Sequence, residues 1–342
     1  MISSHETASR AREPTPSDLP DGAAVSVLLP LKGPAGALPP YPDQLRKGIL
    51  RVLRERGGDR LPGHEIAARL HEDPGESGHP WAVSPSFRLR GQPYFRMTAI
   101  GIVTAQELGE LLTGDSPMVP DHWSIGSLSG WRAAAASAAA LAGQPAAAGP
   151  WRLGVGLVSH TAVTGTRRGT YGIPSAAGLV EGWRRRWLAH LGAEHPIAEL
   201  IAVPARDAPD PFGNWLRDEV TIASGGLRLE RCALAHDRRR HIPVAAGVLM
   251  LQLPGGWTLA HAALRALWRF SLFCGSGRHL TVGFGQTLPF DAGALAVRSV
   301  AASERDLPGP ALADGPARSL LVERHRHTLP LRSDRRCPGA DR

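Results

Sequence analysis

Cysteine is scarce: Cys232, Cys274 and Cys337 stand far apart, are odd in number and form no C-x-x-C pair. That excludes a disulfide framework and a zinc knuckle, and it fits a reducing cytosol. No apolar run reaches the roughly 18 residues that a membrane-spanning helix needs. The first residues, MISSHETASRAREPTPSDLPDG, lack the charged-then-apolar order of an export signal. The expectation is a soluble, cytoplasmic protein with no membrane partner.

Metal motifs are missing as well. His64-Glu65 opens like a zincin, but the second histidine would have to fall at Ala68. His236, His241, His325 and His327 have no cysteine or acidic set at ligand spacing. Neither a metal nor a cofactor is expected.

What is present is arginine and a large apolar fraction. The chain has 342 residues, 43% of them hydrophobic, which suits two domains plus tails. Lys and Arg total 39 against 31 acidic residues, a formal charge of +8, and the sequence pI is near 10.3. An anionic partner follows, with RNA, DNA and a membrane surface all open on charge alone.

Residues 1–22 are too poor in apolar side chains to order and read as a disordered tail. Ala24–Leu31 is a buried strand, and Tyr41–Arg56 carries Leu45, Ile49, Leu50 and Leu53 at helical spacing. His64–Glu72 is a second helical piece. Trp81–Arg90 and Pro93–Ala99 are strands joined through Gly91, Thr104–Leu112 is a helix opened by a Thr104/Glu107 capping box, and a weak strand lies within 118–128. Strand, helix, strand, strand, helix, strand is the βαββαβ plan of a ferredoxin-like domain over 23–132, a plan RNA-recognition modules share.

The alanine-rich stretch 133–150 reads as a linker or insert. A second ferredoxin-like domain over 151–290 repeats the theme: strand Trp151–Ser159, helix Ala176–Leu191, a hairpin of Val220–Ser224 with Leu227–Ala233 across Gly225-Gly226, strand Ile242–Leu253 and helix Leu259–Phe273. In that last helix Leu264, Leu267, Trp268 and Leu272 form the buried stripe, with Ala260 a turn earlier. Residues 291–342, rich in Arg, Pro and His, read as a loosely ordered basic tail with one strand at Ser319–Glu323. The fold class is therefore α+β, two tandem ferredoxin-like domains with loose tails.

The most informative stretch is Cys274–Thr287, CGSGRHLTVGFGQT. Its four glycines can adopt positive φ, admit close backbone approach and turn several N–H groups toward one anion. It lacks the Lys-Ser/Thr of a Walker loop, and a helix precedes it where a dinucleotide fingerprint requires a strand.

The stretch resembles the glycine-rich C-terminal signature of the RAMP superfamily, and within it the CRISPR-associated endoribonucleases of the Cas-six family. Their pattern looks like Gly-x-Gly-Arg, a few residues, then Gly-Phe-Gly. Gly275, Gly277, Arg278, Gly283, Phe284 and Gly285 supply it here. IAARLHEDPGESGHPWAVSPSF resembles the family segment that places His71 at its general acid or base, Trp81 at an aromatic and Ser84 at a serine. SHTAVTGTRRGTYGIPSAAGLVEGWRRRW is similar to the family's strand end, loop and tryptophan-bearing helix, so the likeness spans residues 24 to 290.

The resemblance implies metal-independent cleavage of CRISPR repeat RNA, once per repeat, leaving a 2′,3′-cyclic phosphate and a 5′-OH. It implies repeat RNA as partner, a multi-subunit CRISPR effector complex as a further one, and a monomer or homodimer. A non-catalytic RAMP subunit that binds CRISPR RNA is the alternative. His71 is the expected base or acid and His79 its partner, at a place where a family member carries lysine. Arg51 gives electrostatic support near where the family often keeps tyrosine. Histidine titrates near neutrality and can move either proton, whereas arginine clamps phosphate. His64 is a third candidate, on the same helix face as His71. RNA contacts are expected from the glycine loop with Arg278, from Lys47, and from Arg167-Arg168, Arg184–Arg186 and Arg238–Arg240. Arg184 and Arg185 equally suit the wet side of a helix whose Leu179, Trp183 and Trp187 face inward.

Overall fold

The computed structural model describes residues 23–34, 40–57, 78–89, 91–101, 103–112, 123–128, 131–143, 151–164, 171–172, 174–191, 195–204, 208–223, 226–234, 237–255 and 258–291. The expected helix at His64–Glu72, the expected strand at Ser319–Glu323, residues 1–22 and residues 292–342 lie outside them.

The first domain runs β1 (Ala24–Lys32), α1 (Pro42–Gly57), β2 (Trp81–Val83), β3 (Phe87–Leu89), β4 (Gln92–Ile100), α2 (Ala105–Leu112), β5 (Ser124–Ile125), β6 (Arg132–Ala136) and the short α3 (Ala138–Ala142). Its sheet is antiparallel. β1 and β4 are central, β5 and β6 follow one another along the outer side of β1, and β2 and β3 do the same along β4. This is the ferredoxin strand order. α2 opens with the expected capping box: Thr104 N donates to Glu107 Oε2 (2.7 Å) and Glu107 N to Thr104 Oγ1 (3.1 Å).

The single strand expected over Trp81–Arg90 is broken in two. Pro85 has no N–H to give the ladder, and at the neighbouring position the Ser84 hydroxyl accepts from Arg96 N at 2.7 Å. The alanine run is not a linker from 133 onward. Ala133–Ala136 pair with Val27–Ala24, Ala133 and Ala135 packing toward the first domain's core and Ala134 toward the shared core. Alanine's helix preference gives way to pairing because small side chains suit a strand squeezed between two cores.

The second domain runs β7 (Trp151–Thr161), β8 (Val163–Thr164), β9 (Tyr171–Gly172), α4 (Ala176–His190), α5 (Pro196–Leu200), α6 (Pro211–Asp218), β10 (Thr221–Ala223), β11 (Leu227–Leu234), β12 (Asp237–Leu253), α7 (Thr258–Cys274), a 3-10 turn (Leu280–Val282) and β13 (Thr287–Asp291). Its sheet has β7 and β12 at the centre, β13 outside β7, and β10 with β11 outside β12. That is the ferredoxin order again. The hairpin expected across Gly225-Gly226 is absent, because β10 and β11 both pair with β12. Between the pairs Ala223/Met250 and Leu227/Gly247 four steps face three on β12, so the register shifts by one between β10 and β11. The true hairpin joins β11 to β12.

One face of β1 presents Val25, Val27, Leu29 and Leu31 to α1 and α2. The other presents Ala24 and Leu28 to α7, in a core shared with the second domain. α7 therefore has more than the expected stripe: Ala263, Ala266, Phe270 and Phe273 are buried with Leu264, Leu267, Trp268 and Leu272. Arg96 fastens the same junction. Its Nε donates to Gln286 Oε1 at 2.8 Å and its Nη atoms reach Thr287 O at 3.2 and 3.3 Å. No helix among the described residues is long and apolar enough to cross a membrane.

Candidate nucleic-acid interface

α7 ends at Cys274, and Gly275 (φ +64) turns the chain out of it. Gly275 N donates to Ser271 O (3.0 Å), Ser276 N to Gly285 O (2.7 Å), Arg278 N to Ala162 O (2.8 Å), Gly285 N to His160 O (2.8 Å), Phe284 N to His279 O (3.3 Å) and Gln286 N to Ser159 Oγ (3.0 Å). These N–H groups, which the glycine pattern offers to a phosphate, are committed to protein acceptors. The glycines serve close approach. A Cβ on Gly277 would overlap Ala162 O, one on Gly285 would overlap Ser276 O, and one on Gly283 would lie 2.5 Å from Pro42 Cγ. What the loop offers outward is side chains: exposed Arg278 and half-buried His279 and Phe284.

A buried hydroxyl anchors the loop from beneath. Ser276 Oγ accepts from Trp183 Nε1 at 2.9 Å and from the Thr287 hydroxyl at 2.7 Å. One turn further along α4, Arg186 Nη2 donates to Gly277 O at 2.6 Å. Burial lowers the pKa of this guanidinium, and the neighbouring Cys274 opposes the shift. Burial pushes the Cys274 thiol up to about 12, so it stays protonated.

The same helix reaches the first domain. His190 Nε2 lies 2.9 Å from Gly78 O, a bond that the neutral ring makes as donor. Burial lowers the His190 pKa, the Gly78 bond raises it, and the nearby Arg186 charge lowers it again. Gly78 has φ +77, and its Cβ direction points at Arg186 Nε, 3.0 Å away. On the far side of His79, Pro80 O accepts from Ile100 N at 2.8 Å. The segment entering β2 is thus pinned on both sides of His79, beside the glycine loop. Gly283 meets Pro42 at the start of α1 and approaches Pro85 just past β2, so the loop packs against both.

The expected site residues divide over this frame. His71 and His64 lie outside the described residues, as do Arg167 and Arg168. His79 is half-buried in the pinned segment. Arg51 lies 3.8 Å from Glu55 on α1, its side chain 41% exposed, and Lys47, 70% exposed, pairs with Asp43 at 2.9 Å. Arg185 is on the wet side of α4, 2.8 Å from Glu181. Arg184 is not at the surface. It is fully buried, bonds Asp210 through both Nη atoms (2.8 and 2.9 Å), and donates to Ile201 O and Ala202 O. Its guanidinium holds Asp210 below the usual carboxylate range. The Arg-Arg-Arg run mixes a buried anchor, a surface cation and a loop clamp, and only pairing with Asp210 could have told them apart. Trp81 and Ser84 are both buried. Arg186, expected with its run to grip RNA, is instead buried and donates to Gly277 O. The sequence singles out none of His160, Glu230 and His190, since each meets a partner distant in the chain.

No family model matches the sequence, and no curated relative matches it. Solved structures do match in fold. The product complex of Cas6 (TTHB231) superposes with a TM-score of 0.59 at 20% identity, covering 78% of this chain and 99% of that one. The product complex of Cas6 (TTHA0078) gives 0.55 at 19% identity over 78% and 99%, and Thermus thermophilus Cas6 (TTHB231) gives 0.53 at 19% over 78% and 98%. Two ferredoxin-like domains, joined through α7 and closed by a glycine loop, give this chain the fold of the Cas6 structures.

Proposed function

We propose that this chain is a member of the Cas6 group of RAMP proteins and cleaves precursor CRISPR RNA within each repeat, without a metal. The observation that carries the proposal is the docking of Gly78–Trp81 against the glycine loop through Arg186 and His190. Gly78–Trp81 follow His71 in the sequence and the loop carries Arg278, and in this reading one RNA strand touches both.

In this reading a base takes the proton of a 2′-OH. The 2′-oxygen attacks phosphorus, the P–O5′ bond breaks, and an acid returns a proton to O5′, leaving a 2′,3′-cyclic phosphate and a 5′-OH. His71 and His79 are the two proton carriers, each able to serve near neutral pH. Arg51 stabilises charge on the phosphorane. Lys47, Arg185 and Arg278 hold backbone phosphates without reading sequence, and the glycines Gly275, Gly277, Gly283 and Gly285 set the loop's shape.

The test is labelled repeat RNA incubated with purified protein in EDTA. Wild type cuts once per repeat, and His71→Ala and His79→Ala lose cleavage while keeping RNA affinity. Tight binding without cleavage by wild type would favour a non-catalytic RAMP subunit. Undiminished cleavage by His71→Ala would remove the mechanism.

A further inference from the structure

Beyond the loop's closed backbone lies a small cluster with no part in that closure. Ala162, Ile242 and Val244 form a separate buried patch, and Phe284 and Cys232 pack on it. Phe284 is only half-buried. His279 meets its ring edge-on, with centroids 5.9 Å apart, and His160 lies 6.4 Å away at 45°. His160 Nε2 is 3.3 Å from Glu230 Oε2, and both side chains keep about a third of their surface open, at 33% and 38%. In the loop's backbone ladder the carbonyls of His160 and His279 accept from Gly285 N and Phe284 N.

Two features set this cluster apart from ordinary packing. His279 is the only non-glycine residue with positive φ (+61) among the described residues. A left-handed histidine costs roughly 1 kcal/mol, a strain that persists where a side chain has to be aimed. Glu230 Oε2 lies 3.3 Å from the His160 ring, which in turn neighbours Phe284.

We propose that Phe284, His160, His279 and Glu230 form a subsite for one unpaired guanine of a single-stranded RNA. Phe284 stacks on the base, as aromatic platforms do in single-strand binding. The imidazoles flank it. Glu230 accepts from the adjacent N1–H and 2-amino groups, two parallel donors that suit the two oxygens of a carboxylate. Uracil offers one such donor and inosine lacks the amino group. The inference rests on the RNA-binding part of the proposed function and is independent of cleavage.

The experiment measures binding of labelled 8-mer RNAs: all-uridine, uridine with one central guanosine, and the same with inosine. Wild type should bind the guanosine 8-mer at least about fivefold more tightly than the other two, and Phe284→Leu should lose at least that factor. Glu230→Gln should abolish the preference for guanosine over inosine while all-uridine affinity holds. His279→Gly, which suits φ +61, should match or exceed wild type in thermal stability yet bind guanosine less tightly. Equal binding of the guanosine and inosine 8-mers by wild type overturns the proposal, as does an unchanged preference in Glu230→Gln, a partly exposed position that does not endanger folding. Repeat cleavage that persists alongside either outcome leaves the processing reading standing; guanosine preference without repeat cleavage does the reverse.

Discussion

Arg186 Nη2 donates to Gly277 O at 2.6 Å, while the Cβ direction of Gly78 points at its Nε. One buried guanidinium thus separates the glycine loop from the segment that carries His79, and it sets their spacing. In Arg186→Met the apolar stem is kept and the carbonyl loses its donor, which costs about 1–3 kcal/mol. Arg185→Met, on the wet side of the same helix, should change stability by less than about 0.5 kcal/mol. Urea unfolding of the pair checks this; equal midpoints would mean that Arg186 is not a clamp.

Glycine substitutions separate close approach from φ alone. At Gly91 (φ +84) nothing lies within 4 Å of a new Cβ, so Gly91→Ala should cost only the left-handed penalty, about 1–2 kcal/mol. At Gly277 and Gly285 the Cβ meets a carbonyl oxygen of the loop's own bonding partners, so alanine must also force the backbone apart. Both variants should unfold well below Gly91→Ala in a thermal melt. If all three melt together, the loop is looser than its bonds imply.

How much of this could be read beforehand depended on whether a residue's role is local. Thr104 and Glu107 lie three apart and cap one helix, so sequence sufficed. Val25 to Leu31 announced a buried strand, although not that its second face would meet α7. Gly225-Gly226 misled because two glycines between strands read as a hairpin turn, whereas the flanking strands β10 and β11 both pair with β12. Arg184 misled for a similar reason: its partner Asp210 is 26 positions away. The glycine loop was legible as a motif, yet the direction of its N–H groups was not, since Ser159 and His160 of β7 and Ala162 just beyond it take them up.

His190 makes the junction between the domains sensitive to pH. Its folded pKa lies below the ordinary 6.5, so above pH 6.5 the ring is neutral whether the chain is folded or not. As pH falls below 6.5 the unfolded chain takes up a proton first, and stability present above that point is lost as pH drops through the folded pKa. His190→Gln keeps an amide donor for Gly78 O and removes the titration. The stability difference between wild type and variant should therefore be flat from about pH 7 to 8 and shift against wild type toward about pH 5. Asp210 acts in a separate, more acid window, below its ordinary 3.8. A difference that stays constant across the range would show that the ring does not titrate differently on folding.

Arg96 tests whether the two domains unfold as one. Burial pushes its pKa down to about 10, and its bonds to Gln286 and Thr287 are its visible hold on the second domain. Arg96→Met should cost about 1–3 kcal/mol by orphaning buried acceptors, less whatever is regained by no longer burying a charge. The transition should nevertheless remain single, because α7 still packs Leu28 and Ile100 of the first sheet into the same core as Leu153 and Val155 of the second. Calorimetry decides between the two contributions. One peak at lower temperature means that the shared apolar core couples the domains, and two resolved peaks would assign that coupling to the arginine.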